Sequence, residues 1–256
     1  MRDPAVTSLK TILLRAALVL ALYGLAWLLS GCRSEAVKTL RVGTPGDYAP
    51  YSLKTDDGSG DCTKTLPCYE GKDIERLFAF AKAHGYTPRL IDTTWPTLMA
   101  DLTQGRFDMA IGGIAMTPAR AQQALFTHPL DTDTKVPVAR CSQIDRLDTP
   151  AELDRADVVI LTNPGGTNEA YVRSHYRQAT IKIIAKNQYL FEALKRGEGQ
   201  VVVTDRTEAA LQADSLSGLC LGPRGLPESA HQKAWLVAQT RPDLLKALNE
   251  WIDAHP

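Results

Sequence analysis

The chain has 256 residues, and its 29 Lys and Arg balance 29 Asp and Glu to give a formal net charge of +0. Nucleic-acid binding needs a cationic face, and neither this balance nor any basic cluster provides one. Beyond a leader, the remaining length suits one ordinary fold or two small lobes.

Lys10 and Arg15 precede a charge-free apolar run over residues 16–29, which leads into Leu29-Ser30-Gly31-Cys32. Small residues before a cysteine at the end of such a run are similar to a bacterial lipobox. Residues 1–32 therefore read as a signal peptide whose cleavage leaves Cys32 as a lipid-modified N-terminus. An uncleaved anchor and a simple secretory cleavage are the alternatives; the run is short of the ~20 residues of a spanning helix unless residues 12–14 extend it. All three export the rest of the chain, to the periplasm in a bacterium with two membranes. No later segment is apolar enough to span a membrane, so a lipid anchor is the only membrane attachment expected.

Residues 40–43 read as a first strand, ending in Thr44-Pro45-Gly46-Asp47-Tyr48. Residues 58–68 form a polar, irregular loop. Residues 73–84 have helical periodicity, with Ile74, Leu77, Phe78 and Ala81 on one face and Gly85 placed to stop the helix. Residues 88–92 read as a strand. A helix follows with Thr94 or Trp95 near its cap and Pro96 near its first turn, ending near Gly105. Residues 107–113 read as a third strand ending in glycines, and Thr117-Pro118-Ala119-Arg120 opens another helix. Such β-α-β-α-β-α order with short connections specifies an α/β fold with a largely parallel sheet.

Residues 130–140 carry no helix signal and read as an extended crossing. A second alternating series follows: a short helix over 149–156, a strand over 158–161, a helix to about Arg177, a strand over 181–184, a helix over 188–196, a strand over 200–204 and a helix over 207–213. A late strand over 234–238 and an amphipathic helix over 242–253 close the chain. Two α/β lobes joined by extended crossings leave a cleft between them, and in open α/β sheets ligands sit beyond the carboxyl ends of the strands. Residues 37–133 with 228–256 form the expected first lobe, and residues 134–227 the second.

Cys62, Cys68, Cys141 and Cys220 follow the leader, and export permits disulfides. Cys62 and Cys68 flank the turn-rich Thr63-Lys64-Thr65-Leu66-Pro67, which suits a local bridge and leaves Cys141 with Cys220. Four cysteines nonetheless allow three pairings. Neither pair has metal-ligand spacing with histidines, and no metal is expected.

Asn163-Pro164-Gly165-Gly166-Thr167-Asn168-Glu169 lies between an apolar strand and a helical pattern. Asn-Pro turns the chain, and the glycines permit positive φ and close backbone approach. Thr167 reads as the N-cap, leaving free N–H groups and a partial positive charge beside the glycines. Glu169 falls in the first helical turn, where a dipole-stabilised carboxylate is the plain structural reading.

The order of these features resembles the type II periplasmic solute-binding proteins that serve polar amino-acid importers, and more particularly the periplasmic cyclohexadienyl dehydratases that share their fold. The resemblance rests on Leu40-Arg41-Val42-Gly43-Thr44, Gly46-Asp47-Tyr48, Trp95-Pro96 with Leu98-Met99, Arg106-Phe107-Asp108-Met109-Ala110, the turn over 163–169, Thr204-Asp205 with Glu208, and Lys233-Ala234-Trp235-Leu236. It implies a two-lobed fold, a small carboxylate or amino-acid ligand and no cofactor. It also implies a Cys141–Cys220 bridge. For the enzymes it implies decarboxylating dehydration of prephenate to phenylpyruvate or arogenate to phenylalanine; for the binding proteins, transfer of an amino acid to an ABC permease. By that resemblance Glu169 is the general acid and Arg120 a bidentate carboxylate clamp, completed by Thr117 and the Gly113 backbone. Asp205 matches the aspartate that pairs with a ligand α-amino group, and also suits a cap on the following helix. Tyr48 and Trp95 match ring-packing walls, and Lys135 reaches a second carboxylate. Gly166, Thr167 and Asn168 belong to the anion-binding turn.

Overall fold

The computed structural model describes residues 38–55, 68–213, 217–222 and 224–255. The leader with Cys32, and Cys62 with most of its loop, lie outside the described residues. Among the described residues no helix is long and apolar enough to cross a membrane.

Two five-stranded sheets carry the fold. Across the first, the order is Tyr86–Asp92, Lys38–Thr44, Met109–Ala110, Leu236–Val237 and Leu125–Phe126. The first three strands are parallel, as the β-α-β order dictates, and the last two join antiparallel. Across the second, the order is Thr180–Ile183, Val159–Thr162, Val201–Asp205, Lys135–Arg140 and Leu219–Leu221, again three parallel strands followed by two antiparallel ones. The two lobes thus share one plan.

Apolar periodicity explains the packing. Helix Lys72–His84 buries Ile74, Leu77, Phe80 and Ala81 against the first sheet, and Gly85 ends it at φ 68 with its N–H returned to the Ala81 carbonyl. Helix Pro242–Ala254 buries Leu244, Leu248, Trp251 and Ile252 in the same cluster as Trp235. Fully burying side chains of this size contributes about 1.5–3 kcal/mol each. The second sheet is covered on both faces, by Tyr171 and Val172 on one and by Leu190, Phe191 and Leu194 on the other. Cys141 and Cys220 form a disulfide with their Cα atoms 4.7 Å apart.

Several boundaries depart from the sequence pattern. The helix expected from Thr94 starts at Leu98, because Thr94–Thr97 closes into a turn in which the Thr97 and Leu98 N–H groups both donate to the Thr94 carbonyl. The third strand shrinks to Met109–Ala110, since Gly112 and Gly113 leave the extended region at φ 117 and 69. The crossing over 130–140 divides into two strands. Asp131–Asp133 pairs antiparallel with His231–Lys233, and Lys135–Arg140 enters the second sheet. This second crossing, His231–Lys233, has no periodic signal of its own, and it carries a lysine into the protein interior between the sheets.

Candidate functional site

The carboxyl ends of both sheets face one cavity. Tyr48, Trp95, Gly113, Ala115 and Arg120 line it from the first lobe, and Asn163, Gly166, Thr167, Asn168, Asn187 and Asp205 from the second. Eight of the residues singled out from the sequence therefore meet: Tyr48, Trp95, Gly113, Arg120, Gly166, Thr167, Asn168 and Asp205. Thr117 and Lys135 stand one hydrogen bond behind the wall. Glu169 does not line the cavity.

The aromatic side is braced from both directions. The Tyr48 ring stacks on Tyr51 at 5.3 Å and meets Trp95 edge-on at 5.8 Å. The Trp95 indole N–H donates to Asp47 Oδ1 at 2.9 Å. Burial raises the Asp47 pKa to about 6 despite that hydrogen bond.

Arg120 enters from the short helix Pro118–Ala121, whose N-cap Thr117 accepts from the Arg120 backbone N–H at 3.3 Å. Its guanidinium is buried and donates from Nη1 to the Ala115 carbonyl at 2.8 Å. Burial alone pulls its pKa down to about 10. No carboxylate among the described residues lies within ion-pair distance of it, so it is a desolvated cation with donors to spare. Such a group suits a bidentate carboxylate ligand. The Gly113 N–H does not complete the clamp, because it and the Gly112 N–H both donate to the buried Asp73 carboxylate, at 2.9 and 3.0 Å.

On the opposite wall, Asp205 is the centre of a buried charge cluster. Its Oδ1 accepts from Lys135 Nζ at 2.9 Å, and its Oδ2 from Lys233 Nζ and the Tyr48 hydroxyl, both at 2.5 Å. Burial pushes the Asp205 pKa up, but the charges of Lys135 and Lys233 outweigh it and hold the carboxylate well below its usual range. Asp205 stands at the N-cap of helix Arg206–Gln212 without a side-chain capping bond, so the capping reading is corrected: the lysines and Tyr48 hold both of its oxygens. Lys135 Nζ also donates to Asn168 Oδ1 at 2.5 Å and Thr167 Oγ1 at 3.3 Å.

The turn itself differs in detail from the sequence reading. Gly166, not Thr167, is the N-cap of helix Thr167–His175, and it makes no side-chain capping bond. Of the two glycines only Gly165 has positive φ, at 77; a Cβ there would lie 2.6 Å from Pro96 of the other lobe. The Glu169 carboxylate folds back on the turn. It accepts from the Gly165 N–H at 2.7 Å and from Arg173 Nε at 2.8 Å. The Gly165 N–H, helped by Arg173, lowers its pKa from the ordinary glutamate value against some desolvation.

A second carboxyl behaves oppositely. Glu208 is fully enclosed on helix Arg206–Gln212, behind the Asn187 and Asn168 wall. Asn187 Nδ2 donates to Glu208 Oε1 at 2.5 Å and to the Asp47 carbonyl at 3.0 Å, and the Thr204 hydroxyl donates to Glu208 Oε2. Burial raises the Glu208 pKa to about 7, against the lowering by those hydrogen bonds and with Asp205 and Asp47 adding to the rise. At the same wall the Asn163 Oδ1 is buried without a hydrogen-bond partner.

Sequence reasoning missed Ala115, Asn187, Lys233 and Glu208. Glu208 follows Thr204-Asp205 by three residues and Lys233 opens a motif already noted, so both had a signal. Asn187 sits at the start of a single 3-10 turn and had none.

Comparison with known proteins identifies the family and the fold. The chain matches the family of bacterial extracellular solute-binding proteins, family 3, over residues 40–255. It is 34% identical over 198 residues to a cyclohexadienyl dehydratase of Pseudomonas aeruginosa, covering 77% of this chain and 70% of that one. It is 27% identical to the lysine/arginine/ornithine-binding periplasmic protein of Escherichia coli, over 75% of this chain and 71% of that one. Among solved structures, an ancestral amino acid-binding protein described as a precursor of cyclohexadienyl dehydratase superposes with a TM-score of 0.74 at 26% identity, covering 84% of this chain and 88% of the other.

Proposed function

We propose that this chain, which belongs to the bacterial extracellular solute-binding proteins of family 3, is an exported dehydratase of the cyclohexadienyl type. Its reaction is the decarboxylating dehydration of prephenate, arogenate or both. The relative of this name supports the reading. The observation that carries it is Glu208, a buried carboxyl with a pKa near 7, one hydrogen bond behind a cavity whose Arg120 has no counter-ion among the described residues.

The chemistry needs those two features together. The ring carboxylate leaves as CO2, its bonding electrons enter the ring, and the opposite C–O bond breaks. Hydroxide is a poor leaving group, so a proton must arrive with it, and water departs. A general acid should hold its proton near the working pH. Glu208 meets that condition and Glu169 does not, since Gly165 and Arg173 keep Glu169 ionised. We therefore assign Glu208 as proton donor, reaching the substrate hydroxyl where Asn187 gives way, and leave Glu169 to brace the turn. Arg120 takes the side-chain carboxylate. The unpaired Asn163 Oδ1 accepts from the ring hydroxyl and orients it. Desolvation of the pocket strengthens each of these contacts.

The test is turnover of prephenate and of arogenate by the purified mature domain at neutral pH, followed as phenylpyruvate or phenylalanine. Glu208→Gln should abolish it, by about 10²–10⁴-fold, whereas Glu169→Gln should retain a large part. The reverse pattern would return the acid role to Glu169.

A second reading is an amino-acid-binding component of an ABC importer. Arg120, a buried cation with donors to spare, suits the carboxylate of an amino acid, and the lysine/arginine/ornithine-binding relative supports the reading. Calorimetric amino-acid binding with no turnover of either compound would establish it over the first. Both readings place the protein in the periplasm, held by a lipid on Cys32; the intact mass of the membrane-extracted N-terminus tests that attachment.

A further inference from the structure

Asp205 in the cavity wall invites a ligand ammonium, but the space around it is already occupied. Lys233 is fully buried. Its Nζ donates to Asp205 Oδ2 at 2.5 Å, the Tyr48 hydroxyl at 3.1 Å and the Gly113 carbonyl at 3.2 Å. Three acceptors thus use the three donors of the ammonium. The same Nζ lies 4.9 Å from the ring centroids of both Tyr48 and Tyr51, the geometry of a cation over aromatic faces. A carboxylate, a carbonyl and aromatic faces make an ammonium cage, and the chain fills it with its own side chain. The other oxygen of Asp205 is held by Lys135 at 2.9 Å.

We propose that Lys233, with Lys135, turns Asp205 into an internal counter-ion, so that this pocket selects an α-keto acid over the amino acid of the same shape. An incoming α-ammonium would meet two buried ammonium groups and no free carboxylate oxygen. Like charges at such distances repel strongly where water is excluded. An α-keto carboxylate brings no positive charge, and Arg120 still donates to its carboxylate. The ion pairs point the same way: Lys135 and Lys233 each hold one oxygen of Asp205, at 2.9 and 2.5 Å. This selectivity rests on the dehydratase reading for its biological meaning, in that it favours the keto substrate, prephenate, over arogenate.

Selectivity and turnover can be measured separately. Calorimetry with phenylpyruvate and with L-phenylalanine compares ligands that differ only at the α-substituent, and neither is consumed by the proposed reaction. The wild-type domain should bind phenylpyruvate at least tenfold more tightly. Lys233→Met should narrow that ratio at least tenfold, and Lys233→Arg, which retains the charge, should keep the keto preference. If Lys233→Met does not fold, as judged by circular dichroism, Lys135→Met reads the same effect from the other oxygen of Asp205. Equal or tighter binding of L-phenylalanine to wild type, an unchanged ratio in a folded lysine-to-methionine variant, or binding of neither ligand would overturn the proposal. A keto preference without turnover of prephenate would remove the dehydratase reading and leave this one standing. Turnover of prephenate and arogenate with equal kcat/KM and no binding preference would do the reverse.

Discussion

Replacing Glu208 by Gln should inactivate the protein and stabilise it, and the second effect has a calculable size. Glu208 is fully enclosed, and burial moves its pKa from 4.5 to about 7. A tenfold change in proton affinity corresponds to about 1.36 kcal/mol, so the carboxyl couples to folding by about 3 kcal/mol. The folded chain holds this proton more tightly than the unfolded one. The stability it contributes is therefore complete below about pH 4.5 and is lost as pH rises through about 7. Glutamine has the same shape, accepts from Asn187, donates to Thr204 and does not titrate. Urea unfolding of both proteins from pH 4.5 to 8, disulfide intact, should give similar free energies at the acid end and a variant about 3 kcal/mol more stable at the alkaline end. Comparing the two cancels the titrations that do not couple to Glu208. In the same series the wild-type kcat/KM for prephenate should fall above pH 7, tenfold per pH unit, as the acid loses its proton. A stability gap that stays constant across the range, or an alkaline limb at an unrelated pH, would refute the assignment of Glu208 as a buried, protonated acid.

Glu169→Gln should show the opposite dependence. Its lowered pKa supplies stability at neutral pH that disappears as pH falls below the ordinary glutamate value, so wild type and variant should converge in acid when urea midpoints are compared. Arg120→Met removes a buried cation with no carboxylate partner among the described residues; ligand affinity in calorimetry should drop by more than tenfold, about 1.5–3 kcal/mol, with Tm unchanged or raised. Cys141→Ser with Cys220→Ser opens a loop spanning 79 residues, and the chain-entropy relation gives a loss of about 4.5 kcal/mol in urea unfolding. Gly165→Ala forces a side chain into positive φ and against Pro96 of the opposite lobe; it should cost more than about 1 kcal/mol in urea unfolding and weaken ligand binding.

What the sequence discloses divides along the range of the interactions. Helix Lys72–His84 and its αL stop at Gly85 depend on neighbours within a few residues, and both are legible from those neighbours. The same local grammar puts Thr167 at an N-cap, yet the extended Gly166 takes that position and the Thr167 hydroxyl accepts from Lys135. It also makes Glu169 the conspicuous carboxylate, since a first-turn glutamate after two glycines is visible without any tertiary contact. Catalytic protonation is a tertiary property. Burial raises the Glu208 pKa to about 7, with Asp205 and Asp47 adding to the rise against the hydrogen bonds from Thr204 and Asn187, and Asn187 comes from a turn with no periodic signature. Lys233 illustrates the same limit more sharply. In the chain it opens a noted motif whose local pattern does not show what it meets; the antiparallel pairing of His231–Lys233 with Asp131–Asp133 carries it beneath Tyr48 and Asp205. An aspartate at the end of a strand then reads as an ammonium receptor from sequence and as a neutralised counter-ion from structure. The distinction between a receptor for amino acids and an enzyme for keto acids therefore turns on a residue that the local pattern around the aspartate does not contain.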